Sequence, residues 1–203
     1  MLSGLILDGG PSQRMDGEWK ALLPFGGETM IERQVKEMSK ICAEVIVVTP
    51  DPKPFLRLLD IDVRIITDFY PGKGPLGGMH AGFNLAKHPH IWVIGSHMPF
   101  PSSEAAELLF MRKKDGFDAA VPYLKGGIYP LHGVYDKRCA DDVLKLIQRS
   151  EMRLSALMNE LLWFEVAESI FAERGIDTRF ITGIHTRDDY SQALNCMRGS
   201  LAG

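Results

Sequence analysis

LSGLILDGGPSQRMDGEWK, residues 2–20, decides the reading of this chain. Leu2 to Leu7 is a mainly apolar run that stops at Asp8-Gly9-Gly10, which reads as a buried strand entering a glycine turn. Two adjacent glycines let the backbone turn sharply and bring its N–H groups close to a ligand. Consecutive amides of this kind make an anion-binding concavity. Arg14 and Lys20 then add fixed charge for phosphate oxygens, the first as a planar fork and the second as a point charge. No GKS or GKT follows, so this is not a Walker loop, and it is not the GxGxxG dinucleotide fingerprint. The plain alternative is a tight surface turn with two solvated cations. The placement of both cations directly after the first strand favours the phosphate cradle.

Outward from that segment, strands and helices alternate. Thr29 to Ile41 carries Met30, Ile31, Val35 and Met38 at helical spacing, with Glu28 or Thr29 at its start. Val45 to Thr49 is a β-branched strand suited to burial on both faces. Phe55 to Leu59 reads as a short helix and Val63 to Thr67 as a strand. Asp68 to Gly78 is rich in Gly and Pro and reads as a loop, with a helix over His80 to Lys87 that could start near Leu76. Ile91 to Gly95 is a strand. Pro101 to Met111 is a helix capped by Ser102 or Ser103. Asp118 to Tyr123 and Leu131 to Tyr135 are strands, and Ala140 to Ile147 and Arg153 to Leu162 are helices. Arg179 to Ile184 reads as a last strand, and Thr186 as the cap of a final helix running past Leu194.

This order implies βαβ units and a three-layer, Rossmann-like α/β fold with a mainly parallel central sheet, one domain spanning residues 1–203. Such sheets bind ligands beyond the C-terminal strand ends, at a switch in strand order. That rule selects Asp8 to Lys20, Asp68 to Gly78 and Ser96 to Pro101.

The bulk properties fit. Apolar residues make up 45% and charged residues 24%, ordinary values for a globular protein. The formal charge of −3, without a basic tract, gives nucleic-acid binding no support. Cys42, Cys139 and Cys196 are odd in number and widely spaced, with no CxxC pair, so neither a disulfide framework nor a zinc site is indicated. The N-terminus lacks the charged region of a signal peptide, and no apolar run is long enough to span a bilayer. The expected location is the cytoplasm.

Residues 7–23 resemble the LAGGxSxRMGxxKALL motif of nucleotidyltransferases acting on molybdopterin and sugar phosphates, matching at Leu7, Gly9, Gly10, Ser12, Arg14, Met15, Lys20 and Ala21-Leu22-Leu23. Met15 to Lys20 is one residue longer than the motif. Asp68-Phe69-Tyr70-Pro71-Gly72-Lys73-Gly74-Pro75-Leu76-Gly77-Gly78 looks like the DxxPGxGPLxG stretch of the molybdenum cofactor guanylyltransferases. Pro130 to Tyr135 is similar to their PLxAVY strand, and Arg153-Leu154 begins a segment like their RLxxLL. The resemblance implies that Leu7, Asp8, Gly9, Gly10, Ser12, Arg14, Lys20, Asp68, Pro75, Leu76 and Gly77 hold the nucleotide. Arg14 and Lys20 would then be the catalytic cations. It also implies transfer of GMP from GTP to molybdopterin or its molybdenum form, with Mg²⁺ as the family's metal and Mn²⁺ or another metal as the alternative. Partners would be GTP, molybdopterin, and cofactor-biosynthesis proteins or a molybdoenzyme chaperone. The rivals are a carrier that binds nucleotide or molybdopterin without catalysis, and a transferase for CTP or sugar phosphates.

The chain departs from the family pattern where charge matters. His97 stands at the aspartate of CDMPF that holds Mg²⁺. Mg²⁺ wants hard oxygen ligands, and imidazole suits softer ions. Gly183-Ile184-His185-Thr186 replaces an NxNT motif, and Asp8 replaces an alanine. Asp16 lies between Arg14 and Lys20; a carboxylate ~6 Å from a phosphate charge costs roughly 3 kcal/mol at an effective dielectric of about 20, unless it points outward. The strands ending at Asp8 and His97 should be neighbours. Asp8 is then open to three readings: the missing metal carboxylate, a guanine-edge acceptor, or a partner for a protonated His97. His97 and His185 could also meet and hold a softer metal, against the plainer reading of two ordinary polar loop residues.

Overall fold

A computed structural model gives the chain's architecture and describes residues 1–113 and 116–201. Eight strands form one sheet: β1 (Leu2–Leu7), β2 (Cys42–Val48), β3 (Arg64–Ile66), β4 (His90–Gly95), β5 (Ala119–Leu124), β6 (Gly127–Ile128), β7 (Gly133–Asp136) and β8 (Trp163–Ala167). The order is β6-β5-β7-β4-β1-β2-β3, with β8 paired in parallel to β5. β3, β2, β1 and β4 run parallel, and β7 runs antiparallel between β4 and β5. β1 lies between β2 and β4, which is the switch point expected from the alternation of elements.

The strands are apolar on both faces because both are covered. Ile6, Val45, Val47, Trp92 and Ile94 face one side and pack against α1 (Met30–Met38), α3 (Ser103–Lys113) and α6 (Glu168–Glu173). Leu5, Ile46, Val48, Ile91 and Val93 face the other and meet α2 (Gly74–Leu85), α4 (Ala140–Gln148) and α5 (Leu154–Glu160). A third cluster joins Met15, Phe25 and Met30 to Ile184 and to Ala193 of α7 (Arg187–Leu201), fastening the first loop to the C-terminal helix.

Local signals set the helix ends. Thr29 caps α1 in a reciprocal box with Glu32. Ser102 Oγ accepts from the Ala105 amide before α3, and Thr186 Oγ1 accepts from the Asp189 amide at the start of α7. Four expectations change. α2 begins at Gly74 rather than after a loop reaching Gly78, because Pro75 fits the first helical turn. Residues 55–59 form turns, not a helix. Thr178–Ile181 is a 3₁₀ turn, entered through the Asp177 cap, and not a strand. Two strands of the sheet were not expected from the sequence, the short β6 and β8, which directly follows α5.

Candidate functional site

A cavity of about 550 Å³ opens where the C-terminal ends of β1, β2, β3 and β4 meet. Its wall includes Leu7, Asp8, Gly9, Gly10, Pro11, Ser12 and Lys20 from the first loop. Val48, Thr49, Pro50, Thr67 and Asp68 close it beyond β2 and β3; Pro71, Gly72, Gly74 and Pro75 enter with α2; Gly95, Ser96 and His97 follow β4. All three predicted loops therefore converge on one cavity.

Not every predicted residue faces it. Arg14 is exposed beside the wall and still acts electrostatically on Lys20 and His185. Leu76 is fully buried in the core under α2. Gly77 also lies outside the lining and has a different use: a Cβ there would sit 2.2 Å from Asp68 Oδ2. Its lack of a side chain lets the Asp68 carboxylate lie against the first turn of α2, where the helix dipole favours an anion. Gly10, at φ +76°, supplies the left-handed turn expected of the glycine pair.

Thr49, Thr67 and Ser96 were missed as individual site residues. Each follows an apolar strand run directly, and that position was the available signal. Two of them hold Asp8. Asp8 is 7% exposed, and its carboxylate accepts from Ser96 Oγ at 2.9 Å, Thr49 Oγ1 at 3.0 Å and Gly10 N–H at 3.2 Å. It thus brackets the loops after β1, β2 and β4. Burial raises its pKa, partly offset by the hydrogen bonds from Ser96 and Thr49.

His97 meets His185 with ring centroids 4.9 Å apart, as the loops' placement suggested. Burial first, then His185 and Lys20, push the His97 imidazole down to about 4. Burial, then Lys20, also lowers His185. His97 is therefore neutral near pH 7, which corrects the reading of a protonated His97 paired with Asp8. Lys20 is lowered by burial and by Arg14. Neither Lys20 nor Arg14 forms an ion pair among the described residues. Asp16 takes the outward course: it pairs with Arg187 at 3.3 Å, and Arg187 also holds Glu18 at 2.8 Å. Trp19 packs edge-on against Phe55, as a packing residue should.

The residues present do not fit a protein-held Mg²⁺. A neutral imidazole occupies the loop after β4, and three of the roughly four acceptor positions of Asp8 are already used. Among the described residues no three His, Cys, Asp or Glu side chains gather as a metal-holding group. No helix among them is long and apolar enough to cross a membrane.

Removing the carboxylate gives a first expected result. In Asp8→Ala, Gly10 N–H is freed and one negative charge leaves the cavity wall. Binding of a nucleoside triphosphate in this cavity, tested with GTP, should then tighten about tenfold, equivalent to about 1.4 kcal/mol. Stability should fall by about 1–2 kcal/mol as the two hydroxyls lose their acceptor. Titration calorimetry and urea unfolding read the two effects; weaker GTP binding would instead make Asp8 a contact to the base.

Comparison with known proteins agrees with this architecture. The family model described as "MobA-like NTP transferase domain" matches residues 4–163. The chain is 28% identical over 194 residues to a molybdenum cofactor guanylyltransferase from Desulfosudis oleivorans, covering 95% of this chain and 94% of that one. It is 32% identical over 215 residues to a protein from Methanosarcina acetivorans named "Probable molybdenum cofactor guanylyltransferase", covering 99% and 92%. The crystal structure of molybdopterin-guanine dinucleotide biosynthesis protein A from Archaeoglobus fulgidus superposes with a TM-score of 0.81 over 97% of this chain and 99% of that one. At 23% identity this last likeness speaks for the fold alone.

Proposed function

Because this chain belongs to the MobA-like NTP transferase domain family, we propose that it transfers GMP from GTP to the terminal phosphate of molybdopterin, or its molybdenum form, in the cytoplasm. The observation that carries the reading is the cavity at the parallel strand ends, with the glycine turn on one wall and Lys20 in its lining. A phosphate oxygen of the acceptor attacks the α-phosphorus in line. One P–O bond forms, the α–β bridging bond breaks, and pyrophosphate leaves. The attacking oxygen is already ionised near neutral pH, so no strong base is needed. Positioning and charge neutralisation supply the catalysis. Lys20 and Arg14 offset the charge of the triphosphate, and Gly9, Gly10 and Ser12 shape the loop around it. Leu7, Asp68 and Pro75 complete the walls.

The second reading, a carrier for nucleotide or molybdopterin, is favoured by His97 in place of a carboxylate. One assay separates them. The pure chain is incubated with molybdopterin, radiolabelled GTP and Mg²⁺, Mn²⁺ or Zn²⁺. Guanine dinucleotide and pyrophosphate are expected. Tight pterin binding without product would favour the carrier, and product from CTP in place of GTP would move the chain to another donor.

A further inference from the structure

We propose that the imidazoles of His97 and His185 bind phosphate oxygens directly, beside Lys20, so that nucleotide binding by this chain does not require a divalent cation. The inference rests on the nucleotide reading of the cavity and adds how its charge is met.

The argument begins with how His97 is held. Its ring lies between the backbones of two loops. A Cβ on Gly95 would fall 2.3 Å from His97 Cε1, and one on Gly183 would fall 2.8 Å from His97 Cδ2. The Gly183 position also lies 2.9 Å from His185 Nε2, so both rings converge over one glycine. A backbone hydrogen bond from Ile184 N–H to the His97 carbonyl, at 2.8 Å, joins the loops behind them. The His97 ring is thus placed by the fold, and the exposed His185 ring lies against it.

Their chemistry follows from that placement. His97 lines the cavity beside Ser96 and opposite the first loop. Among the described residues no hydrogen bond uses a ring nitrogen of either histidine. Each neutral imidazole therefore keeps one N–H donor and one bare nitrogen. Lys20 and Arg14 act on the same corner, and neither forms an ion pair among the described residues. Polyphosphate offers the acceptors that these donors need, and donors aimed at an anion in a partly desolvated site replace much of what a cation supplies. The carboxylate that would recruit Mg²⁺ is missing there, and Asp8 is turned to its three internal donors.

The test is calorimetric titration of the full chain with GTP in excess EDTA and again in Mg²⁺. Wild type should bind with dissociation constants within about threefold of each other. His185→Ala should weaken binding about tenfold in both buffers, the loss expected for one donor to a charged group. His97→Asp should restore the dependence, binding about tenfold or more tighter with Mg²⁺ than without. Circular dichroism confirms that each variant is folded. Tenfold tighter wild-type binding in Mg²⁺ than in EDTA would overturn the inference and leave the nucleotide reading standing. Folded wild type that binds no GTP in either buffer would overturn the nucleotide reading itself.

Discussion

On the proposed reaction, Lys20→Ala is expected to lower kcat/KM for dinucleotide formation by about 10²- to 10³-fold. An ammonium about 4 Å from a phosphate charge contributes about 4 kcal/mol at an effective dielectric near 20, and each 1.36 kcal/mol is a factor of ten. Lys20 is partly withdrawn from water and borders the cavity without a direct ion pair among the described residues, with Asp189 and Asp8 acting on it at longer range. Arg14 stands outside the wall and can replace only part of it. Lys20→Arg should recover some activity but not all, since a planar fork cannot occupy the place of a compact point charge. Initial rates and GTP titration check this. Activity within threefold of wild type would place the triphosphate elsewhere.

Lys113→Met destabilises the chain by about 3 kcal/mol, and the loss fades in acid. Lys113 and Asp136 face each other at 2.7 Å with side-chain exposures of 4% and 8%. Breaking such a pair leaves an uncompensated buried charge, at a cost of about 3–5 kcal/mol. The lower figure applies because Arg138, 81% exposed, still reaches Asp136 at 3.0 Å. Burial alone would raise the Asp136 carboxyl, but hydrogen bonds from Arg138 and Lys113 outweigh it and hold it well below the ordinary carboxylate range. A depressed carboxylate stabilises the fold above its unfolded value and loses that effect as pH falls. The gap between wild type and Lys113→Met should therefore narrow below about pH 4. Urea unfolding at pH 7 and pH 3 measures it. The double variant Lys113→Met with Asp136→Asn should be more stable than Lys113→Met alone, because no buried charge remains unpaired.

The parts of this molecule that sequence reading reached are those set by neighbours in the chain. The run Leu2 to Leu7 ending in two glycines, the box at Thr29 and Glu32, and the Thr186 cap are local chemistry, and they stand as read. Gly74-Pro75-Leu76 was harder, since Gly and Pro signal loops and helix starts alike. The stretch ending in Phe180 and Ile184 imitates a strand, but both side chains are buried by tertiary packing around a 3₁₀ turn. β8 was hidden because its partner, β5, is distant in sequence. The three loops of the site were legible from strand order. The bracket on Asp8 was not, because Thr49 and Ser96 lie 41 and 88 positions away. The Lys113–Asp136 pair was illegible for the same reason.

The cluster uniting Met15 and Phe25 with Ile184 and Ala193 has a consequence for biosynthesis. On the ribosome, the glycine turn emerges long before the residues that clamp it. At ordinary elongation rates of about 5–20 residues per second, it waits roughly 10 to 30 s for its lower support. During that interval Met15 and Phe25 are uncovered, which is when a chaperone has most to hold.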